Sequence, residues 1–174
     1  MKLKFGKKVF TTSAGTLVLH DVRLTDAKLL NEIVNEDCVN QFILFPKPIS
    51  LQSTRERIAK AGKKIVWILA ELDGSIAGSA DLTPYLGRSS HVANFGIAIS
   101  QKFQGKGIGK TLLKSLFSFA KKNGIEIISA SAFADNKKAL AFYKHLGFKK
   151  AGILEKHLKR NGKYLDLILI TKEL

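Results

Sequence analysis

Thr16 to Val22 alternates apolar and polar positions with a period of two, the mark of a half-buried strand. Thr25 is placed to cap a helix that follows it through Val34. Ser50 to Ala61 reads as a second, charged helix. Ile65 to Glu71 and Ser75 to Leu82 read as strands joined by Asp73-Gly74, a tight hairpin signal. His91 to Ile99 gives a third long strand. From Ile108 to Lys121 the period changes to that of an amphipathic helix. Leu112, Leu113, Leu116, Phe117 and Ala120 share one face, and Lys114, Ser118, Lys121 and Lys122 share the other. Ile125 to Ala132 is nearly continuous apolar sequence, which predicts a strand buried on both faces. Lys137 to Leu146 predicts a short helix stopped by Gly147, and two closing strands surround Asn161-Gly162. Hairpins mixed with strand-helix-strand units predict an α/β fold with a mixed central sheet flanked by helices.

The chain has 174 residues and 45% hydrophobic composition, enough for one core, and it is read as a single domain over 1–174. Pro46 and Pro48 bracket an irregular stretch, not a domain boundary. No apolar run approaches the roughly 20 residues of a membrane-spanning helix, and the basic segment Met1 to Lys8 lacks the apolar stretch of a signal peptide. The single cysteine, Cys38, excludes an internal disulfide and suits a cytoplasmic setting. His20, His91, His145 and His157 lie far apart without paired ligand spacing, so no metal site is expected. Net charge is +15, a field that draws anions of any kind. The lysines are dispersed along the whole chain, which favours a solvated surface over a dedicated nucleic-acid face.

The segment with the most chemistry is Gln104-Gly105-Lys106-Gly107-Ile108-Gly109-Lys110, between a strand and a helix. Glycines allow backbone N–H groups to converge, and the helix start adds unpaired donors and a positive dipole end. This is a cradle for a phosphate or pyrophosphate, with Lys106 and Lys110 adding charge. A dinucleotide fingerprint would require glycine where Lys110 stands. A nucleotide-triphosphate loop would require glycine at Gln104, and no convincing strand ending in a magnesium-binding aspartate follows. A third pattern is Gln or Arg, two residues, Gly, one residue, Gly or Ala. Gln104, Gly107 and Gly109 satisfy it in full.

With this turn, the sequence resembles the GNAT superfamily of N-acetyltransferases. The resemblance covers roughly the whole chain. The strand His91 to Ile99, the glycine turn, the Leu112-Leu113 helix and the strand Ile125 to Ala132 run in the family's order. The block from Asn136 through Ala139, Tyr143 and Leu146-Gly147-Phe148 is similar to its Asn, Ala, Tyr, Leu-Gly-Phe signature. The resemblance implies a GNAT-like fold with a splay between the strands around the cofactor. It implies acetyl-CoA as co-substrate and direct transfer of acetyl to a primary amine in a ternary complex.

Residue by residue, the resemblance implies that Ile97, Ala98 and Ile99 offer backbone contacts to the pantetheine arm. It assigns the pyrophosphate to Gln104, Gly105, Lys106, Gly107, Ile108, Gly109 and Lys110. Asn136 would contact the arm, and it is also a good helix N-cap. Tyr143, seven positions later and nearly two turns along the same helix, would be the general acid toward the departing thiolate, or else a core aromatic. Many relatives carry Glu near Asn94, and asparagine cannot accept a proton at neutral pH. His91, Glu71 and Asp81 are candidates for the base, with none singled out. The segment Arg160 to Asp166 looks like branches acting on small amines, amino acids or protein N-termini. No specific nucleic acid or membrane partner is expected, and the chain is either a monomer or a homodimer. Two other function classes stay open: a basic nucleic-acid-binding module, from the net charge, and a P-loop-type nucleotide-binding protein, from Gly109-Lys110-Thr111.

Overall fold

The computed structural model describes residues 4–45 and 48–174. Their alternating segments form one sheet of eight strands in the order β1-β2-β3-β4-β5-β6-β8-β7. The strands are β1 Lys7–Thr12, β2 Gly15–Asp21, β3 Val66–Leu72, β4 Ser75–Pro84, β5 Val92–Ile99, β6 Ile127–Phe133, β7 Lys149–Arg160 and β8 Lys163–Glu173. Every neighbouring pair is antiparallel except β5 and β6. A parallel pair needs a crossover, and the crossover here carries α4, Ile108–Lys122. The other helices are α1 Ala27–Asn35, α2 Asp37–Asn40, α3 Leu51–Ile58 and α5 Lys137–His145.

Alternation along the strands sends neighbouring side chains into two cores. On one face, Ile68, Leu82 and Phe95 pack with Leu112, Leu113 and Leu116 of α4. Those three leucines are fully buried, and burial of each is worth about 1.5–3 kcal/mol. On the other face, Trp67 and Leu69 pack with Ala27 and Leu30 of α1 and Ile58 of α3. The two turns read from sequence adopt the left-handed conformations they require. Asp73 and Gly74 have φ of 49° and 77°, and Asn161 and Gly162 have 51° and 77°.

Two expectations change, and one strand went unread. Thr25 is not a cap: Leu24–Asp26 form a 3-10 turn, the Asp26 carboxylate accepts the Arg23 N–H at 2.7 Å, and α1 starts at Ala27. The strand β1 was not legible, because its lysines and exposed edge position hide the alternation. Burial of β6 is alternating rather than continuous, with Ser129 and Ser131 partly open. Pro46 lies outside the described residues.

The positioning feature of the fold is a fork. β5 and β6 pair only at Val92↔Ile127, Ala93↔Ile128 and Asn94↔Ser129. Beyond Asn94, β5 stays with β4, while β6 pairs with β8 as far as Phe133↔Leu167. Below the opening sits an aromatic cluster. Phe95 has ring centroids of Phe117, Tyr143 and Phe148 at 5.4, 5.6 and 5.4 Å.

Candidate active site

The fork opens into a cavity of about 880 Å³, inside the range of about 300–1,000 Å³ usual for ligand pockets. Its β5 wall is Ile97, Ala98 and Ile99, whose edge toward β6 carries no ladder pairing. Gln104, Gly105, Gly107, Ile108, Gly109 and Lys110 form its end, and Asn136 and Tyr143 project from α5. Lys106 does not line the cavity. Its ammonium lies 5.4 Å from the centroid of the Phe103 ring, while its backbone belongs to the turn.

The turn is built to present N–H groups. Gly105 and Gly107 adopt φ of 77° and 76°, a region that side-chain-bearing residues avoid. The first backbone bond of α4 runs from the Thr111 N–H to the Gly107 carbonyl at 3.2 Å. Among the described residues, no acceptor takes the N–H groups from Gly105 through Lys110. A run of open donors at a helix start, beside Lys110, Lys137 and Lys138 in the lining, fits the pyrophosphate of a coenzyme. Gln104 acts locally: its Nε2 donates to the Ile99 carbonyl at 3.2 Å, tying the turn to the end of β5. Glu36 braces the same corner by accepting the Gln101 N–H at 2.7 Å.

Asn136 caps α5, its Oδ1 accepting the Ala139 N–H at 3.1 Å. Asn136→Ala should therefore cost about 1 kcal/mol in denaturant unfolding, with Asn136→Ser recovering most of it. A cofactor contact adds a second signature, a loss of acetyl-CoA affinity that serine does not restore. A serine variant with both full stability and full affinity leaves the cap as the residue's whole role.

Tyr143 stands edge-on to Phe95 and Phe148, with centroids at 5.6 and 5.8 Å. Its hydroxyl has no hydrogen-bond partner among the described residues. Burial pushes its pKa up to about 12. Cys38 also lines the cavity, but burial and the adjacent Glu36 carboxylate raise its pKa, which keeps the thiol protonated and a poor nucleophile.

The opposite rim was not foreseen from the sequence. Val39, Gln41, Phe42 and Ile43 come from α2 and the loop after it, and Phe133 and Asp135 from the end of β6. Arg160, at the tip of β7, donates to the Gln41 carbonyl at 3.1 Å and pairs with the Asp135 carboxylate. Its guanidinium also lies 5.6 and 5.8 Å from the ring centroids of Phe42 and Phe133. The only sequence hint was the apolar run Phe42 to Phe45 in a polar stretch. Of the three base candidates, none lines the cavity. His91 precedes β5, and Glu71 is held by His20 Nε2 at 2.9 Å. Asp81, on β4, pairs with Arg57 at 2.8 Å and stands opposite Gly96 of β5.

A mixed sheet forked around one parallel pair, with an open-donor turn at the fork's end, defines a coenzyme-binding α/β protein. The family model for the acetyltransferase (GNAT) family matches residues 30–148, and the chain belongs to that family. The chain is similar to the L-amino acid N-acetyltransferase AaaT of Escherichia coli (strain K12). Identity is 30% over 108 residues, covering 60% of this chain and 66% of that protein, so the match stops short of two thirds of the relative's length. Among solved structures, the ribosomal-protein-alanine N-acetyltransferase of Brucella melitensis shares the fold at a TM-score of 0.81. Identity is 22%, with 90% of this chain and 99% of that one covered. The yncA protein of Salmonella typhimurium, solved with its cofactor acetyl-CoA, superposes at a TM-score of 0.80 and 18% identity, over 90% and 93% of the two chains. Among the described residues, no helix is long and apolar enough to cross a membrane. No cluster of three or more metal-ligating side chains occurs among them either.

Proposed function

We propose that the chain is an acetyl-CoA-dependent N-acetyltransferase that passes acetyl directly to a primary amine in a ternary complex. The observation that carries this reading is the unpaired edge of β5 beyond Asn94, leading from the row of open N–H groups at Gly105 to Lys110. An extended amide-bearing arm with a pyrophosphate at one end matches both. With the pyrophosphate at the turn and the arm along Ile97 to Ile99, the thioester reaches the vertex of the fork. There the Tyr143 phenol, protonated to about pH 12, can give its proton to the departing sulfur. The thiol of Cys38, its pKa raised by burial and by the Glu36 carboxylate to which it donates at 3.7 Å, favours direct attack over an acyl-enzyme.

The acceptor is a small amine, an amino acid or a protein N-terminus. Names of relatives favour this: one is an L-amino acid N-acetyltransferase and one a ribosomal-protein-alanine N-acetyltransferase. Calorimetry tests the donor, with micromolar acetyl-CoA affinity expected, about −8 kcal/mol, and none for magnesium-ATP. ATP binding without acetyl-CoA binding reverses the assignment. Free-thiol release across a panel of L-amino acids, polyamines and short peptides then identifies the acceptor.

The pH dependence follows. At subsaturating amine, the rate should rise from pH 6 to about 9 as the acceptor loses its proton. Because the phenol titrates near 12, Tyr143 should produce no fall in rate below about pH 10. A flat profile contradicts limiting deprotonation of the amine, and a fall near pH 8 that Tyr143→Phe removes contradicts the assignment of the proton donor.

A further inference from the structure

We propose that Asp81 takes the proton from the acceptor amine, working from the face of β5 opposite to Tyr143; this rests on the acetyl transfer proposed above. Asp81 pairs across the strands with Gly96, two residues past the last β5–β6 pair at Asn94. A Cβ on Gly96 would lie 2.9 Å from Asp81 Oδ1, so the carboxylate leans over β5 into the space that a side chain would fill. It therefore overlies the strand where the fork opens. A thioester carried along Ile97 to Ile99 toward the vertex ends beside it.

The two faces of β5 divide the work. Phe95 points toward α4 and α5, against Tyr143. Gly96 points the other way, toward Asp81, Arg57 of α3 and Trp67 of β3. On that second face Asn94, Gly96 and Ala98 are partly exposed, while Ala93 and Phe95 on the first are buried. An amine can thus approach β5 from the side of Asp81, and the sulfur can leave toward Tyr143. Nitrogen and sulfur sit on different corners of the tetrahedral intermediate, so a base and an acid are required at separate places.

Arg57 holds Asp81 in place. Its Nη2 donates to Oδ1 at 2.8 Å, and its guanidinium stacks 4.8 Å from the centroid of the Trp67 ring. The second oxygen, Oδ2, has no hydrogen-bond partner among the described residues, although the residue is only 9% exposed. Burial raises the carboxyl pKa, and the Arg57 charge opposes the rise without cancelling it. A carboxylate raised toward neutrality is a better proton acceptor than a solvated one. Among the described residues, Arg57 is the charged group acting on it. Trp67 of β3, Asn94 and Gly96 of β5, and Ala27 and Leu30 of α1 carry no titratable group, and Glu71 farther along β3 is engaged by His20.

The step balances. The ammonium of the acceptor gives one proton to Asp81, directly or across one water. The freed lone pair forms the C–N bond, and the carbonyl π pair moves to oxygen. When that pair returns, the C–S bond breaks, and the sulfur takes the Tyr143 proton. The amide nitrogen loses its extra proton and the phenolate regains one. Asp81 returns its proton to solvent, so one proton is released per turnover.

Asp81→Asn keeps the shape and removes the base. With the amine identified by thiol release, kcat/KM at pH 7 should fall about 10²-fold or more. The deficit should shrink as pH passes the pKa of that amine, where no base is needed, and acetyl-CoA affinity should stay within about twofold of wild type. A deficit under about threefold at pH 7, or one equal at every pH, overturns the proposal. Arg57→Met is the second variant and decides the question if the first does not fold. Loss of the cation raises the Asp81 pKa, so the acid limb of kcat/KM, where Asp81 becomes protonated, should move to higher pH while the limb set by the amine stays in place; an unmoved acid limb assigns Asp81 to structure alone. Wild type that binds no acetyl-CoA defeats the acetyltransferase reading itself. Wild type that binds and turns over beside an equally active Asp81→Asn defeats only the role of Asp81.

Discussion

Gly107→Val should abolish measurable acetyl-CoA binding in a protein that still folds. Gly107 is the N-cap of α4 with φ 76° and ψ −5°, a conformation that costs an L-residue about 1–2 kcal/mol and a β-branched one more. Strain alone would lower stability. The loss of binding has a separate cause. A Cβ at Gly107 meets no atom within 4 Å and the residue lines the cavity, so the new side chain is expected to occupy open space at the end where the phosphate is proposed to sit. A phosphate held there would be displaced, and relief of strain would twist the N–H groups from Gly105 to Lys110 apart. Calorimetry should show affinity weakened at least about 100-fold, with the melting temperature lowered by a few degrees. Gly107→Ala should fall between, since it adds the strain but little bulk. Lys106→Ala should change affinity by less than about threefold, because that ammonium points to Phe103 and is screened by solvent. Unchanged affinity in Gly107→Val would place the phosphate elsewhere.

What could be read from sequence depended on how local each feature is. The Asp73-Gly74 and Asn161-Gly162 turns and the amphipathic face of α4 are set by neighbours in the chain, and they were legible. So was the glycine turn, since its open donors follow from glycine positions and a helix start. The fork was different. It depends on where β6 leaves β5 for β8, a choice made by partners more than 30 residues apart, and the apolar sequence of β6 reads as an ordinary central strand. It entered the expectation only through resemblance to a family. The Arg160–Asp135 pair and the Asp81–Gly96 juxtaposition are likewise products of register, which no local pattern encodes. The strand β1 was hidden for another reason: an edge strand bearing Lys7 and Lys8 is polar because edges must resist pairing with other chains.

Tyr143→Phe should lower kcat by about 10²–10⁴-fold with acetyl-CoA affinity nearly intact. Phenylalanine keeps the ring, and with it the edge contacts to Phe95 and Phe148. Only the hydroxyl is lost. That hydroxyl has no protein partner among the described residues, so its removal breaks no intramolecular hydrogen bond. The melting temperature should stay level or rise slightly, where an ordinary buried tyrosine would lose about 1 kcal/mol with its bond. The residue lines the cavity and its hydroxyl is not sealed from it, so a partner present only during turnover can reach the hydroxyl. The departing thiolate is such a partner. Charge reaches the sulfur only as the C–S bond breaks, so the missing proton is felt in kcat and not in ground-state binding. Stopped turnover with a normal acetyl-CoA isotherm and a level melting temperature is the expected set of three. Full turnover in the variant would remove Tyr143 from the chemistry and leave water, or a group on the acceptor itself, to protonate the sulfur.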